Sequence, residues 1–178
     1  MKKLMLAALA FSLVTPAATG QDFPKAELAI GYSMIDVVKG PSEIANGGNG
    51  SIAFNFNPWL GAIGDLGVYS ASPSLIAIMY TAGPRLSYRH WARLTPFAQV
   101  LFGGAHASSS ASNYTGATNA FALGAGGGAD FLLDRSARFV LRPQLEYFAF
   151  GTIGSTTDTI RLSVGIVFRI PKNNGTSR

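Results

Sequence analysis

Two residues in the stretch GGAHASSS, His106 and Ser108, have the types and spacing that nucleophilic catalysis would use. An imidazole can take the proton of a serine hydroxyl, and the pair then needs an orienting group and donors for an oxyanion. Two positions apart on a strand, they would share one face. An orienting carboxylate would have to come from the neighbouring strand, where Phe121, Leu123 and Ala125 fill the matching face. The preferred reading is a rim histidine beside a serine-rich segment. A second set of residues is charged: Glu27, Asp65, Asp130 and Glu146 against Arg85, Arg89, Arg142, Arg161 and Arg169. The planar fork of arginine suits paired hydrogen bonds to carboxylates. Ions of this kind withdrawn from water must pair with one another. The run GAGGGA at 124–129 imitates a dinucleotide fingerprint, but it leads into DFLLD with no helix to present a phosphate site. No cluster of His, Cys and carboxylates points to a metal, and no cofactor is expected.

The elements that would carry these residues are strands. In IRLSVGIVFRI at 160–170, Ile160, Leu162, Val164, Ile166, Phe168 and Ile170 share one face, and Arg161, Ser163, Gly165, Val167 and Arg169 share the other. The period is two, which is a strand and not a helix. The same alternation runs through AELAIGYSM, SIAFNFN, LGAIGDLGVYS, YTAGPRLSYR, PFAQVLFGGAH, AFALGAGGGADFLL and RFVLRPQLEYF. That predicts eight strands of roughly 9–13 residues, near the 9–11 that a transmembrane β-strand needs. Connections alternate as well. NPW, RHWAR and DRSAR are tight, whereas DVVKGPSEIANGG, ASPS, ASSSASNYTGAT and GTIGSTTD read as mostly longer polar loops. Short turns on one side and loops on the other is the outer-membrane barrel arrangement. Trp59, Tyr88, Trp91, Phe139 and Phe168 gather at the short-turn end, as an interfacial aromatic girdle would. Pro84 and Pro143 fall inside predicted strands, where each removes a ladder donor, so a bulge or irregular pairing is expected at both.

Composition decides what the two faces meet. Charged residues make up 13% of the chain, where a soluble domain averages about 25%. The second face carries Gly, Ala and Ser with a few nearly balanced ions, which describes a crowded interior. The aliphatic face is therefore assigned to lipid and the ions to the lumen. At the start, Lys2 and Lys3, the apolar run LMLAALAFSLV and the small residues of TPAATGQ form a secretory signal pattern, with cleavage expected after Gly20. Past that segment no run of 18 apolar residues occurs, so helical spans are excluded. The pI of 9.7 comes from basic residues scattered singly, not from a basic cluster with interleaved aromatics, so no nucleic acid is expected as a partner. Zero cysteines excludes disulfides and thiol chemistry.

At GPRLSYR…TPFAQVLFGGA and LRPQLEYF…LSVGIVFRI the sequence resembles the small outer-membrane β-barrels related to the transmembrane domain of outer membrane protein A, the stand-alone porin family of Gram-negative bacteria. The likeness runs over the whole chain after the signal segment. It departs from many such barrels at the end, where Phe168 is followed by Arg169, Ile170 and a polar tail rather than closing the chain. The H-x-S spacing is also similar to that of outer-membrane lipid A deacylases. The organisation expected is a signal peptide at 1–20, an all-β, eight-stranded antiparallel up-and-down transmembrane barrel at 25–170, and a tail at 171–178. The resemblance implies a non-enzymatic protein of the outer membrane, in contact with membrane lipid and lipopolysaccharide, structural or meeting a surface ligand through its loops. An eight-stranded barrel is just wide enough inside for side chains to fill, so the lumen is expected to be plugged. A lipid A hydrolase built on His106 and Ser108, or a narrow porin, is the alternative.

Overall fold

The computed structural model describes residues 23–38, 44–72, 75–111, 114–134, 138–152 and 154–170. The proposed signal segment and polar tail lie outside these. Eight strands follow in order: β1 (Ala26–Val37), β2 (Ile44–Asn55), β3 (Leu60–Ser72), β4 (Leu75–Ser87), β5 (Leu94–Ala111), β6 (Tyr114–Leu132), β7 (Phe139–Thr152) and β8 (Ser155–Ile170). Each pairs antiparallel with the next, and β8 returns to β1 to close a barrel. Closure leaves the wall without a free edge, which a sheet needs if it is to cross hydrocarbon.

Alternation along each strand sets the two surfaces. In β8, Ile160, Leu162, Val164, Ile166, Phe168 and Ile170 are exposed, while Arg161, Ser163, Val167 and Arg169 are buried. Leu28 and Ile30 of β1, Leu66 and Val68 of β3, and Val100 and Phe102 of β5 continue the apolar outer band. Inside, glycine makes room for large neighbours. A Cβ on Gly124 would lie 2.4 Å from the Phe148 ring, and one on Gly126 would lie 2.6 Å from the Glu146 backbone. The glycine run of β6 is therefore what admits Phe148 and Glu146 to the lumen.

β1 to β4, at 12 or 13 residues, have the expected length, whereas β5 to β8 run longer, to 19 residues in β6. Most of ASSSASNYTGAT and GTIGSTTD is ladder rather than loop: Ser109 pairs with Gly116, Ala111 with Tyr114, and Thr152 with Ser155. A strand that leaves the lipid still has backbone donors to satisfy, and continuing the ladder satisfies them. The polar residues that read as loop mark the exit from the apolar band. The β5–β6 hairpin reaches furthest, since pairing between β6 and β7 stops at Phe121 and Gly151.

Neither proline produces a bulge. Pro84 pairs with Ala62 of β3, and the ladder to β5 is interrupted between Ala82–Phe102 and Arg85–Gln99 with its register kept. Pro143 likewise pairs with Val164 of β8 while the ladder to β6 lapses between Gly128–Gln144 and Phe131–Leu141. Each missing N–H affects one neighbour only, so irregular pairing occurs without a shift.

Candidate functional site

The inward side chains lie in three tiers. The first lies towards the short turns, where Glu27 is the second residue of β1 and Arg169 the last but one of β8. Glu27 accepts hydrogen bonds from Arg85 Nη1 at 3.2 Å, Arg89 Nη2 at 3.1 Å and Arg142 Nη2. Arg142 also grips Asp130 with both arms of its fork, Nε to Oδ1 at 2.6 Å and Nη2 to Oδ2 at 2.8 Å. Arg169 Nη2 reaches the same Asp130 Oδ2 at 2.8 Å. Four arginines thus share two carboxylates. Arg85 has Nε and Nη2 without a hydrogen-bond partner among the described residues, and its guanidinium lies 3.9 Å above the centre of the Phe97 ring. A flat cation over a ring face recovers part of what the missing bonds would supply. Arg89, beyond the end of β4, is pushed below the usual arginine range by burial, with Glu27 acting against that shift.

The second tier has the opposite balance. Arg161 donates from Nη1 to Asp65 at 2.5 Å, from Nε to Glu146 at 2.6 Å, and from Nη1 to the Tyr69 hydroxyl at 3.2 Å. Asn49 donates to Asp65 and Gln99 to Glu146, so both carboxylates have neutral donors as well. Arg161 is fully buried.

A third tier is apolar. Met79, Leu101, Ala122, Phe148 and Tyr69 are buried together, with Ile35, Ala77, Ala105 and Phe150 packed around them. Sequence reasoning missed this tier by taking the inner face to be small and polar. Its signal was available, because Met79 and Leu101 fall on inward positions of their alternating strands.

All nine charged residues singled out from the sequence are therefore brought to one lumen, in two groups. The five aromatics are spread around the short-turn rim, each exposed. Tyr88 meets Trp91 edge to face at 5.8 Å, and Phe139 meets Phe168 at 5.6 Å.

At the far rim, His106 and Ser108 sit on the outer face of β5. Directly across on β6 is Asn119, whose Oδ1 lies 2.8 Å from His106 Nδ1. Sequence reasoning weighed Phe121, Leu123 and Ala125 on this face and missed this partner, because it began the strand at Ala120. Ser108 is turned away from the pair, its hydroxyl donating to the Ile76 carbonyl at 3.5 Å. A serine engaged with a backbone carbonyl is not held for proton transfer to an imidazole. Among the described residues no cluster of His, Cys and carboxylates could hold a metal.

No family model matches the sequence, and no curated protein matches it. Solved structures do match the fold. Neisserial surface protein A is 14% identical with a TM-score of 0.65, over 82% of this chain and 96% of its own. The N-terminal β-barrel domain of Pseudomonas aeruginosa OprF is 13% identical with a TM-score of 0.61, over 83% of this chain and all of its own. Ail, the attachment invasion locus protein of Yersinia pestis, is 19% identical with a TM-score of 0.57, over 82% of this chain and 99% of its own. The likeness is one of fold: the chain is an eight-stranded β-barrel of the bacterial outer-membrane kind.

Proposed function

We propose that this outer-membrane barrel is neither an enzyme nor an open pore, and that it acts at the cell surface through its outer hairpins. The observation that supports this reading is the filled lumen. Arg161, Leu101 and Phe148 are each 0% exposed, on three different strands. Ion pairs occupy the bore below them, and an eight-stranded barrel has no width to spare around such side chains. With short turns on the periplasmic side, the hairpins face outward. Their described residues are mainly Ser, Thr, Asn, Gly and Ala with Asp36 and Asp158, beside Val37, Val38, Ile44, Leu75, Ile76 and Tyr114, and include no Lys or Arg. That surface favours a ligand held by hydroxyl and amide hydrogen bonds, alongside the lipid and lipopolysaccharide of the membrane itself. Ail has been solved with the heparin analogue sucrose octasulfate. A polyanion of that kind needs basic residues, and Lys39 is the one that the sequence places in an outward connection.

Planar bilayers containing the purified barrel test the closed lumen. The expected result is no steady large-pore conductance, and a steady large conductance would overturn the reading. The His106–Asn119 hydrogen bond favours a second reading, hydrolysis of lipid A acyl chains, because it orients the imidazole. Lipid A from cells with and without the expressed protein should give the same mass spectrum. Loss of an acyl chain that Ser108→Ala abolishes would establish the hydrolase instead.

A further inference from the structure

Near the short-turn end, the outer surface of the barrel holds an apolar cleft of about 600 Å³, lined chiefly by Trp59, Leu86, Tyr88, Pro96, Phe97 and Ala98. Its shape follows from residue size. Leu86 of β4 and Tyr88, just past its end, stand up on one side, beside Trp59. The other side is low, because Pro96 and Ala98 of β5 pair with Ala129 and Gly127 of β6. A Cβ on Gly127 would lie 2.3 Å from the Phe97 carbonyl oxygen, so close strand approach keeps that position empty. Trp59 is fixed in place. Asn57 Oδ1 accepts from the amides of Trp59 and Leu60 at 2.9 and 2.7 Å, and the Trp59 carbonyl accepts from Ser87 N at 2.8 Å.

The cleft opens onto the face presented to hydrocarbon, so what reaches it is acyl chain. Its turn-side end lies at interfacial depth, where Tyr88 packs on Trp91 and lies 5.8 Å from the His90 ring. His90 and Arg93 are exposed in the turn that joins the two lining strands. Arg93 is anchored there, its carbonyl accepting from Leu132 N at 3.1 Å. An apolar groove with an exposed cation in the turn that joins its lining strands matches a lipid with an anionic headgroup. We propose that this cleft binds an anionic phospholipid of the periplasmic leaflet, one acyl chain lying over Ala98 and the phosphate meeting Arg93. The site goes beyond the surface reading and does not depend on it.

The two tryptophans make the test direct. Trp91→Phe leaves Trp59, in the cleft wall, as the only one. The full barrel is placed in phosphatidylcholine vesicles with rising fractions of phosphatidylglycerol brominated on its acyl chains. Trp59 is expected to be quenched with about fivefold preference over equally brominated phosphatidylcholine, the effect of one basic residue near an anionic surface. Arg93→Ala should remove the preference. Ala98→Phe, which fills the floor, should remove it too while the heat-dependent gel shift of a folded barrel is retained. Equal quenching by the two lipids would overturn the anionic site. A preference that survives Ala98→Phe would overturn the groove as its location. Quenching that falls as protein density in the vesicle rises would show a second copy covering the cleft, and would overturn the lipid as its occupant.

Discussion

The two ion clusters of the lumen use the same residue types in opposite proportions. Near the short turns, Arg85, Arg89, Arg142 and Arg169 share Glu27 and Asp130. Farther up, Arg161 alone joins Asp65 and Glu146. Carboxylates are scarce in the first cluster and the arginine is scarce in the second. Taking an ion out of water costs several kcal/mol, so the effect of a substitution depends on which charges it strands. Glu27 is the member whose loss strands most. Three arginines donate to it, and Arg85 and Arg142 already have nitrogens without partners among the described residues.

Glu27→Ala should therefore be the most damaging single change in the lumen, at about 3–5 kcal/mol. Urea titration of the folded barrel in detergent measures it, and an effect no larger than that of Glu146→Ala would break the comparison. Arg161→Ala comes next, at about 3 kcal/mol, because it leaves Asp65 and Glu146 facing each other without a cation. Adding Glu146→Gln to that variant should recover part of the loss. No recovery would mean that charge is not what destabilises it. Glu146→Ala alone should cost less, about 1–3 kcal/mol, since Arg161 keeps Asp65 and Tyr69 while Gln99 loses its acceptor.

The two clusters also show how far the sequence could be read. Which residues face inward is a matter of parity, so Arg161 and Glu146 could be assigned to the lumen from their strands alone. Which carboxylate each arginine would take could not. Arg142 and Glu27 are 115 positions apart, and their meeting depends on barrel closure through β8 and β1. The apolar tier was hidden for a different reason. Met79 and Leu101 are as hydrophobic as their lipid-facing neighbours, so an all-apolar run does not declare which members point inward unless the parity is carried through it. Asn119 was hidden by polarity. Thr118 read as loop and Asn119 lay just before the expected strand, yet they pair with Ala107 and His106. Where the wall leaves the lipid, composition changes but the ladder does not.

The smallest effect is expected at the mouth of the arginine-rich cluster. Arg89 lies past the end of β4, its side chain is 10% exposed, and Nε donates to the Pro58 carbonyl at 3.1 Å. Arg89→Ala removes one donor from Glu27 but leaves Arg85 and Arg142 in place, so no carboxylate is stranded. It also lowers the excess of positive charge that the remaining arginines feel. The net cost should be about 1 kcal/mol, that of a hydrogen bond whose loss leaves nothing buried and unpaired. The informative quantity is the ratio to Glu27→Ala under the same urea titration, because both changes break the same ion pair from opposite sides. A cost for Arg89→Ala as large as that for Glu27→Ala would mean that the arginines, not the carboxylates, limit this cluster. Near-neutrality beside a severe Glu27→Ala would identify Glu27 as the residue that holds the arginines together.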